Sequence, residues 1–497
     1  MERFSKKWVV FGHYPFLFLI FLAISFGSAA QSISNELTRA YRKTLELKLD
    51  SAQLSMLDPY PEKSDQAFIV YIRSLMDLFN LTLLKNDSLY SLYPDREKEY
   101  LDRIEAISGE EPFVIFVKSE IRLHSAIIRF LYNDTFSGAI RLIQSYKIID
   151  SYIDKEEVPV YFLKTAGVLN VLLSLVPDKY NFFLTLIGIR AELSLGIQQL
   201  ELINETQHIF RFESQMIMAL LNAYYLNKTG NASIILKENQ DQWSRSLLYH
   251  YLTGLISVKS RNNEQAIQAF SACTEFNEGY LRIPTCTFYL AESYLNRMDL
   301  EQARENYLLY LRKYKQPDFV KASYYKLSLI FLFSDKEQES GYYRKKVVSE
   351  GKLSTEMDKY AYYTVINNDP QNPELQKARL LFDGGYYVES LSTLNSVVEN
   401  NLPELEKLEL NYRTARVYQL LKDYQLAEKY YLITFDSSSL DHYLVANAHL
   451  QLGYIYAEQE NREESELQFR EALKYSGDIY RTSIRNEAKA GLSLLKR

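Results

Sequence analysis

Six times between residues 254 and 465 a small side chain is followed, twelve residues later, by another. The first members are Gly254, Ala291, Ser328, Ala378, Ala415 and Gly453; the second are Ala266, Ala303, Ser340, Ser390, Ala427 and Ser465. Successive first members lie 37, 37, 50, 37 and 38 residues apart. Three residues after most first members stands a large apolar or aromatic side chain: Tyr294, Phe331, Leu381, Tyr418 and Tyr456. Four after most second members stands another: Phe270, Tyr307, Leu394, Tyr431 and Phe469. Two antiparallel helices produce this pattern. A small residue on each lets the backbones approach, and large side chains fill the groove around the contact. One such pair cannot bury its own apolar face, so neighbours must stack. The segments between the helices are polar, as in Arg261-Asn262-Asn263, Arg297-Met298-Asp299, Asp383-Gly384-Gly385, Lys422-Asp423 and Glu460-Asn461-Arg462. The 50-residue step holds an insertion over 350–372, where the pattern predicts one extra helix over 355–366.

Composition agrees with an array of helices. At 497 residues the chain is too long for a single core, which stops growing near about 250–300 residues. Gly (17) and Pro (12) together make about 6% of it, half the usual share of about 12%, which argues against turn-rich β folds. Hydrophobic residues at 47% exclude a disordered chain. The net charge is −6 and no long Lys/Arg block occurs, so nothing marks a nucleic-acid surface. The 41 tyrosines suit half-buried positions between helices, with contact roles at interfaces as a second use. Cys273 and Cys286 allow either one bridge, in an oxidising compartment, or two buried free thiols.

The chain begins with Arg3, Lys6 and Lys7, continues into an apolar run densest at 16–24, and leaves it through Gly27-Ser28-Ala29-Ala30. This is the layout of a secretory signal peptide cleaved after Ala30. The alternative is an uncleaved anchor with its basic flank in the cytoplasm. No cysteine follows the run, which excludes a bacterial lipoprotein. Downstream no second apolar segment of spanning length is expected; the longest candidate, Val168–Val176, is far too short to span a membrane. The expected organisation is a signal peptide or anchor over 1–30, an irregular helical domain over 31–205, a repeat array over 206–479 and a capping helix over 480–497. Within 31–205, Ala126 and Ala139 look like one more divergent pair, with Asn133-Asp134 as its turn, and Gly109 to Pro112 is a break.

The run Leu452-Gly453-x-x-Tyr456, followed by Ser465, Phe469 and Ala472, resembles the tetratricopeptide repeat. That resemblance implies an all-α, right-handed superhelical solenoid of antiparallel helix pairs. A second resemblance lies upstream. Gly167-Val-Leu-Asn-Val-Leu-Leu-Ser-Leu-Val-Pro177-Asp-Lys-Tyr180, then Leu186-Ile-Gly188-Ile-Arg190 and Leu195-Gly196-Ile-Gln-Gln-Leu200-Glu201, is similar to the signature helix pair of the tetratricopeptide repeat protein 39 family and its bacterial relatives. Arg190-Ala191-Glu192 stands where that family has a Gly-Asp-Arg turn. The family implies an adaptor-like role.

In tetratricopeptide arrays the first helix of each pair lines a concave face. The resemblance places there Thr285, Phe288, Glu292 and Asn296; Arg379 and Phe382; Glu409, Tyr412, Arg416 and Gln419; and Asn447, Leu450, Tyr454 and Glu458. Of these, Phe288, Glu292, Asn296, Arg379, Tyr412, Arg416, Gln419, Tyr454 and Glu458 form the candidate protein-binding set, mixed polar and aromatic as binding grooves are. The plain alternative is that each is only the exposed side of a helix. Phe288, Tyr412 and Leu450 occupy the position at which some such domains carry a carboxylate-clamping Lys, so the partner is expected not to be held by its C-terminal carboxylate. No catalytic constellation, phosphate-cradling loop or metal motif is found, and no cofactor is expected; His442 and His449 lie seven apart with no acidic partner at ligand spacing. The expected function is a non-enzymatic scaffold or adaptor that binds a protein or peptide in a bacterial periplasm or cell envelope, touching the membrane only through an uncleaved N-terminus. The alternative is a helical-repeat enzyme or carbohydrate-binding component, which would need facing carboxylates in a deep pocket.

Overall fold

The computed structural model describes residues 33–495 except 58–59, 108, 110, 154, 156–157, 175, 177–183, 207, 227, 277, 315–317, 368–371, 400–401, 437–441 and 478. The signal-peptide or anchor segment and Pro177–Tyr180 therefore lie outside the described residues. Those described are all-α, with no strand among them. They form two compact units: residues 1–260 with 268–286, and residues 261–267 with 287–497. The division falls later in the chain than the 205/206 boundary drawn from the sequence.

The repeating small residues sit where helix pairs touch. In the second unit the pairs are Pro284–Asn296 with Leu300–Lys313, Val320–Phe333 with Glu337–Ser349, Pro373–Gly384 with Tyr387–Asn395, Glu404–Leu420 with Tyr424–Asp436, and Tyr443–Glu458 with Arg462–Ala472. A Cβ on Gly453 would lie 2.8 Å from the Phe469 ring, and one on Gly254, in the first unit, 2.6 Å from Phe270. Ala291, Ala303, Ala378, Ala415 and Ala427 have no exposed surface. Serine at the second position adds a bond of its own. The hydroxyls of Ser340, Ser390 and Ser465 donate to the carbonyls of Ser328, Ala378 and Gly453 at 2.8, 2.7 and 2.7 Å. Each satisfies a backbone acceptor across the helix contact, so serine is a functional equivalent of alanine there.

The turns share one conformation. Seven residues after each first small residue stands one with left-handed backbone: Arg261, Met298, Asp335, Gly385, Lys422 and Glu460, with φ of 57, 63, 57, 87, 63 and 61°. It ends the first helix with paired bonds. In the 415 repeat, Lys422 N–H donates to the Gln419 carbonyl at 3.1 Å and Asp423 N–H to the Tyr418 carbonyl at 3.0 Å. This is a Schellman closure. The same device occurs in the first unit after Ala40, at Leu47 (φ 62°), and after Ala126, at Asn133 (φ 63°). Here the structure corrects the sequence reading. The partner of Ala126 is Gly138, not Ala139: Phe130 lies 2.9 Å and the Ala126 carbonyl 3.2 Å from where a Gly138 Cβ would be. The twelve-residue offset therefore holds in this pair as well. In the segment resembling the protein 39 family, helices Val160–Ser174 and Leu193–Asn204 meet at glycines. A Cβ on Gly167 would lie 2.9 Å from the Gly196 carbonyl, and one on Gly196 2.8 Å from the Gly167 carbonyl.

The extra helix expected in the insertion is Glu356–Ile366, started by a capping box in which Thr355 and Asp358 bond each other's backbone N–H. The terminal helix Arg481–Leu495 buries Ile484, Ala488 and Gly491, the last with room for no Cβ, since Phe469 would be 2.5 Å away. Apolar spacing at three and four marks 67–84 as helical, but the expectation that no downstream segment reaches spanning length is corrected by the helix Lys63–Leu84. Its 22 residues are long and apolar enough to cross a membrane, but 78% of its most apolar window is buried inside the fold, where it packs as a core helix of the first unit. Cys273 and Cys286 are free, buried thiols.

Candidate binding face

The structure sorts the candidate set into two groups. Phe288 has no exposed surface; it stacks on Phe319 with ring centroids 4.3 Å apart and belongs to the core of the second unit. Glu292 is buried too, accepting from the Tyr307 hydroxyl and pairing with Lys326 Nζ at 3.1 Å. Asn296 is buried, its Cβ 3.1 Å from the position a Gly384 Cβ would take. Leu450 is core as well. These side chains serve packing and do not present themselves to a partner, because the first helix of their pair is covered on the face the repeat pattern assigned to the groove. Tyr454 donates to the Glu487 carbonyl of the terminal helix at 3.2 Å, and the exposed Glu458 accepts from Tyr424.

Of the rest, Tyr412 and Arg416 are buried to the same degree, while Arg379 and Gln419 are half-buried; Arg416 and Gln419 bond each other and Arg379 turns to Tyr360 instead. Arg416 Nη1 donates to Gln419 Oε1 at 2.6 Å and to Gln451 Oε1; Gln419 Oε1 also accepts from the buried Tyr431 hydroxyl at 2.6 Å. The Arg416 guanidinium lies 5.3 Å from the centroid of the Phe382 ring. A second guanidinium, that of Arg261, lies 4.8 Å from the same ring. Both distances fit cation–π contacts. Arg261 Nε is buried without a hydrogen-bond partner. Burial pushes the Arg261 guanidinium below its ordinary value, and the charge of Arg416 pushes it the same way. Two like charges therefore share one aromatic ring, Arg416 held by the amides of Gln419 and Gln451, with no carboxylate in ion-pair contact with either arginine among the described residues. The carboxylate of Asp383 is nearby but lies 3.9 Å from Arg379 Nε. Arg379 donates to the Tyr360 hydroxyl at 2.6 Å, and Arg413 spends its charge on Glu409 at 3.0 Å.

Arg261 reaches this place because its turn docks on another turn far along the chain. Its carbonyl lies 2.2 Å from where a Cβ on Gly385 would stand, a contact only glycine allows. Asn263 Nδ2 bonds the Tyr386 hydroxyl at 3.1 Å and the Ser293 carbonyl at 2.8 Å, and that hydroxyl donates to Glu264 at 2.5 Å. Helical spacing could find Arg416, Tyr412 and Gln419. It could not find Arg261 or Gln451, whose place depends on contacts between elements, and it gave Tyr431 only as a groove-filling ring.

The first unit holds a different cluster. Glu120, Lys164 and Glu213 have no exposed surface. Lys164 Nζ lies 3.4 Å from Glu120 Oε2, Thr165 donates to Glu120, His124 Nε2 lies 3.5 Å from Glu120, and Tyr71 donates to Glu213 at 3.5 Å. Burial pushes Glu213 up to about 8, against the pull of Lys164, and pushes Lys164 down to about 8. Two carboxylates do share a site, but it is sealed within the core, where no substrate reaches. Of the other histidines, His442 caps the N-terminus of Tyr443–Glu458 and His449 stacks on Phe435 at 3.9 Å. Among the described residues no group of three or more His, Cys, Asp or Glu could hold a metal ion.

No family model and no curated protein matches this chain. Solved structures do. A tetratricopeptide repeat protein from Parabacteroides merdae is 16% identical over 56% of this chain and 99% of its own, with a TM-score of 0.25. The apo quorum sensor NprR from B. thuringiensis is 10% identical over 81% and 97%, with a TM-score of 0.31. Human IFIT1, solved as a dimer with m7Gppp-AAAA, is 12% identical over 90% and 97%, with a TM-score of 0.32. The superpositions are loose, and the helix-pair architecture rests on the contacts described above.

Proposed function

We propose that the chain is a non-enzymatic adaptor and that its second unit docks an extended acidic segment of a partner protein at Arg261, Phe382 and Arg416. The observation that carries this reading is the pair of guanidiniums over one ring without an ion-paired carboxylate. Arg416 is buried and Arg261 half-buried, and the carboxylates that act on them, Glu487 and Asp383, make no ion pair with either, so carboxylates delivered by a ligand would add direct charge-assisted bonds suited to arginine's planar fork. Phe382, Tyr412 and Tyr431 are buried and offer no open face for a sugar ring to stack on, so the ligand contacts are those of the two guanidiniums. The carboxylates are those of side chains along the segment. The export pattern of residues 1–30 supports a location outside the cytoplasm, in a bacterial envelope. An intact Met1 on the exported product would rule out the cleaved form.

The test is fluorescence polarisation with Glu/Asp-rich, neutral and Lys-rich peptides, each with a free and an amidated C-terminus. The acidic pair binds, with equal affinity for the two termini and weakening as salt rises. The R261Q/R416Q double variant loses about tenfold or more of that affinity. Equal affinity in parent and variant, or a preference for the Lys-rich peptide, overturns the reading.

A further inference from the structure

The first unit contains an open cleft of about 560 Å³, within the range that small-molecule sites occupy. It lies between helices Leu49–Leu54, Lys63–Leu84 and Asp87–Ala106 and the segment 279–282. That segment is tied down: Leu281 N–H donates to the Leu47 carbonyl at 2.8 Å, and Lys48 Nζ sits 4.8 Å over the Tyr280 ring. The segment 279–282 is thus an anchored wall of the cleft.

Its charges are unevenly spent. Arg96 is engaged by the buried Asp77 at 2.5 Å, and Asp77 also accepts from Tyr100 at 2.7 Å. Glu99, on the rim, pairs with Arg103 at 2.6 Å. Arg73 and Arg282 also line the cleft, and among the described residues neither makes a hydrogen bond or ion pair. Asn80 lines it with an equally free amide. The one unpaired acid on the wall is Asp50, so the free groups carry two positive charges against one negative. Met76 and Leu49 supply an apolar floor.

We infer that this cleft binds a small organic oxyanion, its carboxylate or phosphate oxygens between Arg73 and Arg282, its hydroxyl or amide groups toward Asn80 and Asp50, and its carbon body on Met76. Two free guanidiniums on the wall of an open cleft of this size favour charge-assisted, bidentate contacts, and the Asp50 carboxylate selects against ligands that carry charge alone. The site is separate from the Arg261–Arg416 pair and does not depend on the peptide-docking reading.

Isothermal titration of the purified chain with citrate, with glycerol 3-phosphate and with glycerol at matched ionic strength tests this. One or both anions bind saturably and glycerol does not; citrate alone names a carboxylate ligand, glycerol 3-phosphate alone a phosphate ligand. The R73Q/R282Q variant binds about tenfold or more weakly with an unchanged circular dichroism spectrum, while R261Q/R416Q binds as the parent does. M76W, which fills the cleft without altering charge, also weakens binding. The inference is overturned if neither anion binds saturably, if R73Q/R282Q keeps the parent's affinity, or if R261Q/R416Q loses as much as R73Q/R282Q.

Discussion

Glu213 has no exposed surface, and burial holds its pKa near 8 where an unfolded glutamate titrates near 4.5. Through that interval the unfolded chain releases a proton that the native chain keeps, so stability falls as pH rises toward 8. His124 and His208 are held below their ordinary value by burial and act in the opposite sense, but only below about pH 6.5; Asp77, raised to about 6 by burial, has finished its change by then. Lys164 remains protonated in both states until about 8. Glu120, also raised by burial, acts in the same sense, so the window from 6.5 to 8 reports the buried acids of this cluster, and E213Q isolates the share of Glu213. Its limiting slope is about 1.4 kcal/mol per pH unit. Thermal melts of the parent are expected to drop across that window and those of E213Q, which keeps the shape without the acid, to drop much less. Parallel curves would refute this. Nothing in the sequence marked the cluster, because Glu120, Lys164 and Glu213 lie on three different helices and their burial is decided by how those helices pack.

Between elements, the sequence carries one half of the repeat plainly. Side-chain volume at the contact is constrained to Gly, Ala or Ser, so the twelve-residue offset can be read directly, as can the extra helix and the terminal cap. The other half is a backbone conformation. The left-handed position is filled by Arg, Met, Asp, Gly, Lys and Glu in successive repeats, so no residue type betrays it. Most of these pay for the left-handed backbone about 1 kcal/mol that glycine does not. Lys422 is exposed and its side chain makes no hydrogen bond, ion pair or ring contact that would be lost. K422G is expected to raise the denaturation midpoint by the equivalent of about 0.5–1 kcal/mol, the gain reduced by the greater freedom of glycine in the unfolded chain. A lower midpoint would show that the turn is held by something other than its closure bonds. The same division explains the binding face: residues placed by helical spacing were found, three of them were spent on packing, and Arg261 came from a turn that no periodicity connects to Phe382.

Across the second unit, the docking of the Arg261–Asn263 turn on the Asp383–Tyr386 turn joins parts of the chain more than a hundred residues apart. Gly385 controls it. Its φ of +87° already disfavours any other residue, and a Cβ would strike a backbone carbonyl that cannot rotate away. Gly188 in the first unit has a similar φ of +83° with nothing within 4 Å of its Cβ position, so G188A measures the conformational cost alone, about 1 kcal/mol. G385A is expected to cost more than G188A in denaturant melts and to weaken acidic-peptide binding without removing a charged group. Equal costs, with binding intact, would mean the two turns merely lie side by side. In a stack where each layer touches only the next, tension is taken up a little at every joint and the whole lengthens like a spring. Lashing one layer to another several joints away turns that stretch into a rigid link, and the lash holds one of the two arginines, so any pull that parts it also dismantles the grip on whatever is bound.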